Sequence, residues 1–101
     1  MVNYTESVNF IQAHKNEFRS VIMTTLSCRA CESIVSLFNA STIPFIVVNA
    51  DSDDLIYKPL VYPQTYLFSK NNICYTRVDV FDSRMLYEWI DKINNWEQET
   101  I

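Results

Sequence analysis

Two short runs of mostly β-branched residues, Val21-Ile22-Met23-Thr24-Thr25-Leu26 and Pro44-Phe45-Ile46-Val47-Val48-Asn49, bracket a segment with helical periodicity. That succession limits the possible folds more than any other feature of the chain. Runs so nearly continuous in apolar residues suit strands buried on both faces. Between them, residues 28–39 bring Cys31, Ile34, Val35, Leu37 and Phe38 onto one helical face, and Ser27 offers an N-cap. Strand, helix, strand in this order predicts a right-handed βαβ unit with parallel strands.

The flanking segments extend this core. Residues 5–15, with Tyr4 just before them, carry Val8 and Ile11, and Phe10 and Ala13, at helical spacing. Residues 51–60 are polar at first and closed by Pro59, room for a short helix at most, and Asp51-Ser52-Asp53-Asp54 reads as an acidic helix start. Residues 63–69 read as a strand, and Lys70-Asn71-Asn72 as a tight turn, because Asn tolerates positive φ. Residues 73–80 alternate as an edge-like antiparallel strand. Asp82 or Ser83 then caps a last helix striped by Leu86, Trp89, Ile90 and Ile93. The expected order is α-β-α-β-(α)-β-β-α, a single α/β domain over residues 1–101 with a four-stranded mixed sheet flanked by helices.

Composition narrows the function. Of 101 residues, 49% are apolar and 20% charged, which is globular, and one core is what this length supports. Twelve acids against eight bases give a net charge of −4, so neither a phosphate backbone nor an anionic membrane is an expected partner. The chain contains no glycine. Phosphate-binding loops of the Walker and dinucleotide types need that residue for close backbone approach and are excluded. The start, Met1-Val2-Asn3-Tyr4-Thr5-Glu6-Ser7, has no basic region followed by an apolar stretch, and the longest apolar run, residues 44–48, is too short to cross a bilayer. Three cysteines do not make a disulfide scaffold, and a reducing cytoplasm is the expected setting.

Two of those cysteines form Cys28-Arg29-Ala30-Cys31, where the first strand turns into the helix. A sulfur at a helix amino terminus meets unpaired N–H groups and the positive end of the helix dipole, and both favour thiolate over thiol. The second sulfur, one turn deeper, is within disulfide reach and shielded. An exposed nucleophile and a buried resolving thiol are the parts that thiol–disulfide exchange requires. Arg29 supports the Cys28 thiolate, and Glu32, directly after Cys31, opposes it. A zinc site would need two further ligands, and only Cys74 and His14 remain, on separate elements without a ligand-pair spacing. Cys74 is expected to be a buried small side chain, His14 a solvated residue at the end of the first helix, and Trp89 and Trp96 core or flank packing.

Cys28-Arg29-Ala30-Cys31, together with Tyr62-Pro63-Gln64-Thr65-Tyr66-Leu67-Phe68 and the ββα ending, resembles the thioredoxin-like superfamily over most of the chain. The resemblance implies a thioredoxin-like fold and a protein disulfide oxidoreductase with Cys28 and Cys31 as its catalytic pair. It also implies a cis Tyr62–Pro63 bond beside the Cys28 sulfur, with Tyr62 and Pro63 docking the backbone of an extended substrate. Ser27, Arg29 and Ala30 would border that substrate, as would Asp79, which stands where the family has glycine. Ser27 replaces the family's Trp, Arg29-Ala30 its Gly-Pro, and Ile22 its buried acid. The expected partners are protein disulfides and an electron donor, either a flavin reductase or a small thiol, acting on a monomer with no cofactor and no metal. The other reading is a thioredoxin-fold interaction module whose dithiol is vestigial or structural.

Overall fold

A computed structural model describes residues 4–51 and 60–99, with the Tyr4 side chain left aside. The short helix expected within residues 51–60, and most of its acidic start, lie outside the described residues. The elements are α1 (Tyr4–Ala13), β1 (Arg19–Thr24), α2 (Arg29–Ala40), β2 (Phe45–Asn49), β3 (Gln64–Phe68), β4 (Cys74–Arg77) and α3 (Ser83–Glu99). They form one four-stranded mixed sheet in the order β2-β1-β3-β4. β1 pairs parallel with β2, pairing Ser20 with Phe45 and Thr24 with Asn49, so α2 is the crossover between them. β3 lies antiparallel to both β1 and β4.

All six residues of β1 are buried, as its unbroken apolar run requires of a strand with a neighbour on each edge. Its side chains alternate between two cores. Ile22 joins Ile34 and Phe38 of α2, Phe81, and Leu86 of α3 on one face. Val21 and Met23 join Val48 and Ala50 on the other, where Phe10 and Ile11 of α1 cover them. The sheet is thus sandwiched, with α1 on one side and α2 and α3 on the other.

Local chemistry sets the boundaries. α1 gives way to a turn in which Asn16 takes φ 79°, a left-handed value that Asn accepts more readily than most residues. His14 there is half-buried and bonded to Glu17 at 2.8 Å. α2 stops at Ser41, whose N–H and hydroxyl both bond to the Phe38 carbonyl. Asn72, at φ 64°, closes the β3–β4 turn. Asp82 is the cap of α3, accepting from the Met85 N–H at 2.9 Å.

Two expectations fail here. β4 ends at Arg77 rather than running to residue 80, because Arg77 folds over Phe81 and Trp89 and clasps Asp79. Cys74 is exposed rather than buried, since it takes the outward position of an edge strand.

The sheet's far end, where β1 begins, is held by a polar cluster. Arg19 is fully buried and donates from Nη1 to the Glu17 and Ser69 carbonyls at 3.0 and 2.9 Å, and from Nη2 to Asn72 Oδ1. Burial works against its charge, and Glu17 works to keep it. Glu97 of α3 is 7% exposed and accepts at Oε1 from the Ser69 hydroxyl and the Asn71 amide, both at 2.8 Å. Tyr75 donates to Glu97 Oε2 and stacks on Trp96. Burial, with the charge of Glu97 and its hydrogen bond, pushes the Tyr75 hydroxyl up. No helix among the described residues is long and apolar enough to cross a membrane.

Candidate functional site

β1 ends at Thr24, and four residues later the chain enters α2 through Cys28. The sequence reading gave the N-cap to Ser27, and the structure gives it to Cys28. Cys28 is extended (φ −118°, ψ 99°), and its Sγ accepts the Cys31 N–H at 3.1 Å. A cap side chain must reach the N–H groups of the second or third helical residue. Cys28 immediately precedes Arg29, the first helical residue, and so has that reach, whereas Ser27 stands one place too early and is exposed.

Cys28 and Cys31 are joined as a disulfide with a Cα–Cα separation of 5.2 Å. Cys31 is 2% exposed and belongs to the buried face of α2 with Ile34 and Phe38, while Cys28 is half-buried. The sulfur that caps the helix is therefore the more open one, and its mate is sheltered. When the bond is reduced, a thiolate at Cys28 accepts the same N–H as a charge-assisted bond, stronger than the one a neutral sulfur accepts.

The Tyr62–Pro63 bond is cis, and Pro63 is buried at the entry to β3. β3 pairs Gln64 with Met23. One further step in that register sets Pro63 against Thr24, at the end of the sheet from which Cys28 departs. The Tyr62 side chain packs against the Val21, Met23, Val48 and Ala50 cluster on the α1 face. Arg29 is exposed and Ala30 half-buried.

Asp79 accepts two bonds from Arg77, Nε at 2.5 Å and Nη2 at 3.0 Å. Those hydrogen bonds hold its carboxyl below the usual range despite some desolvation. Asp79 is thus engaged by Arg77, the last residue of β4. Of the residues picked out from the sequence, the structure gathers Cys28 and Cys31, with Ser27, Arg29 and Ala30 beside them in the chain and Pro63 at the same end of the sheet.

A cleft of about 480 Å³ is lined by Cys28 and Cys31, by the end of β1 and the two residues after it, by Val47 of β2, and by Glu32, Val35 and Ser36 of α2. Sequence reasoning missed this cleft and the place of Glu32 in it. The one available signal was that Cys28, Glu32 and Val35 recur at helical spacing. Leu26, Leu60 and Val61 are exposed apolar residues in the segments that lead into Cys28 and Pro63. Ile22, where the resembled family carries an acid, is fully buried hydrocarbon. The remaining thiol, Cys74, begins β4 and is paired with Phe68; desolvation pushes it up, and a Thr76 hydrogen bond acts the other way. Among the described residues no group of three or more His, Cys, Asp or Glu side chains is placed to hold a metal ion. No family model and no curated protein matches this sequence.

Proposed function

We propose that the protein is a thiol–disulfide oxidoreductase of the thioredoxin-like fold that reduces protein disulfides in a reducing cytoplasm. The observation that carries this reading is the Cys31 N–H directed at the Cys28 sulfur at the start of α2. It supplies what a nucleophilic sulfur needs, a hydrogen-bond donor and the positive end of a helix acting on the more open of two bonded cysteines. The strand–helix crossover that carries the motif, and the cis Tyr62–Pro63 bond at the same end of the sheet, support the reading.

In the cycle, the Cys28 thiolate attacks one sulfur of a substrate disulfide. A Cys28–substrate bond forms, the substrate bond breaks, and the departing sulfur leaves with the electron pair and takes a proton. The Cys31 thiolate then attacks Cys28 Sγ, re-forming the Cys28–Cys31 disulfide and releasing the second substrate thiol. A flavin reductase or a small thiol returns two electrons and two protons. The segment around Tyr62 and Pro63, with Ser27, Arg29 and Ala30, borders the docked partner.

Insulin-reduction turnover tests the proposal. Wild-type protein is expected to reduce insulin, and Cys28→Ser is expected to fall to the uncatalysed background. Equal rates for the two proteins overturn the proposal. The buried hydrocarbon of Ile22 favours a second reading, an interaction module with an inert dithiol, for which neither protein would turn over.

A further inference from the structure

The resolving step of this proposed cycle raises a problem of proton transfer. Cys31 must lose its proton before its sulfur can attack, yet it is 2% exposed, on the buried face of α2 with Ile34 and Phe38. A thiol in such surroundings resists ionisation, because burial penalises the charged form. The cleft beside the two sulfurs is the route out. Among the described residues its walls are hydroxyls and hydrocarbon, contributed by the end of β1 and the two residues after it, by β2 through Val47, and by α2, except at one carboxylate, Glu32. Among the described residues no other acid and no base lines it, apart from the two cysteines. Glu32 is exposed, in the first turn of α2, directly after Cys31. The cleft has room for several water molecules, so a proton need not jump directly between the two side chains.

We infer that Glu32 is the proton acceptor for Cys31 in the resolving step. With Cys28 held in a mixed disulfide, the Cys31 proton passes through the cleft to the Glu32 carboxylate. The Cys31 electron pair then forms the bond to Cys28 Sγ, and the Cys28–substrate bond breaks. The substrate sulfur leaves with that electron pair and takes up a proton, from Glu32 or from solvent, and Glu32 returns to carboxylate. The cysteine pair is oxidised, the substrate is reduced, and no further reactant is consumed. The inference rests on the redox reading and deepens it.

A plain electrostatic role for Glu32 predicts the opposite sign, which makes the assignment testable. A negative charge beside a thiol disfavours the thiolate, so if charge were its only effect, removing Glu32 would speed resolution. If Glu32 takes the proton, removing it slows resolution. The experiment mixes reduced protein, carrying Cys74→Ser throughout to remove the other exposed thiol, with dipyridyl disulfide, a neutral probe, in a stopped-flow instrument. The first burst of pyridinethione reports attack by Cys28, and the second reports displacement by Cys31. Glu32→Gln and Glu32→Ala are expected to leave the first phase at least as fast as in wild type, since a charge opposing the Cys28 thiolate is removed, and to slow the second at least about tenfold near pH 6. The slowing should shrink as hydroxide takes over at higher pH. Glu32→Asp should retain most of the wild-type rate, and added acetate should rescue Glu32→Ala but not wild type. A second phase that is unchanged or faster in Glu32→Gln overturns the inference while leaving the redox reading intact. If wild-type protein shows no fast first phase, the redox reading fails, and the role of Glu32 falls with it.

Discussion

Cys31→Ser should stop the proposed cycle halfway. Cys28 still attacks, because its helix-capping position does not depend on a sulfur at residue 31; the bond it accepts comes from the backbone N–H there. The mixed disulfide then has no internal thiol to displace it. A neighbouring thiol competes at an effective concentration far above any external one, so the adduct should live longer by at least about a thousandfold in millimolar external thiol. Incubating Cys31→Ser with a peptide disulfide, followed by non-reducing electrophoresis and intact mass measurement, should reveal protein plus one peptide half, released by dithiothreitol. Wild type under the same conditions should show none. An adduct that fails to accumulate in the variant, or that also accumulates in wild type, would contradict the order of events proposed for the two sulfurs.

The second large effect concerns stability and lies at the other end of the sheet. Arg19→Ala should destabilise the protein by about 3 kcal/mol, since it removes a fully buried side chain and the donors to the Ser69 carbonyl and Asn72 Oδ1. Three neighbouring features make the site unforgiving. The Ser69 hydroxyl is committed to Glu97 and to the N–H groups of Asn71 and Ile73, the Asn72 backbone is left-handed, and Phe68 lies beneath the guanidinium. A domain of this size has roughly 5–15 kcal/mol of stability in total, so the change should appear as a large fall in the urea midpoint. Arg19→Lys should recover only part of it, because one ammonium cannot span the acceptors that a guanidinium fork reaches. A loss below about 0.5 kcal/mol, the scale of an ordinary surface substitution, would contradict the account. The folded fraction of Arg19→Ala should retain its reactivity at Cys28, which the chain reaches only after β1 has crossed the sheet.

Most of the framework was legible in the sequence because its signals are periodic. The run that begins at Val21 reads as a buried strand with no knowledge of its neighbours, although its expected reach is Leu26 and the strand stops at Thr24, leaving Leu26 exposed; Cys31, Ile34 and Phe38 mark the inner face of α2 by spacing alone. The position of the cysteine pair at the strand-to-helix turn followed from the same two signals. Features that depend on tertiary placement were not legible. Arg19 and Glu97 look like solvent-facing charges at a strand start and in a late helical turn. Only the assembled sheet brings both to the Ser69–Asn72 turn. Cys74 looks like a core residue by type, but at the outward position of an edge strand it is exposed. Ser27 is the better capping residue by chemistry, and Cys28 takes the role because the helix begins one residue later than that preference suggests. Asp79 stands near Pro63 in the strand alignment, yet Arg77, two residues away, captures it. The cleft that joins Glu32 to the two sulfurs has walls from three elements, and no local pattern reports such a space.

In the proposed cycle the amino terminus of α2 ionises the Cys28 sulfur. The most direct test is the pH dependence of iodoacetamide labelling at Cys28 in the reduced protein, followed by mass spectrometry, with Cys74→Ser as background to remove the other exposed thiol. An unperturbed cysteine titrates near pH 8.5. The account predicts a midpoint at least about one unit lower, with Cys28 labelled faster than a free thiol at neutral pH. A midpoint at or above the unperturbed value, with labelling no faster than that of an ordinary exposed thiol, would contradict it.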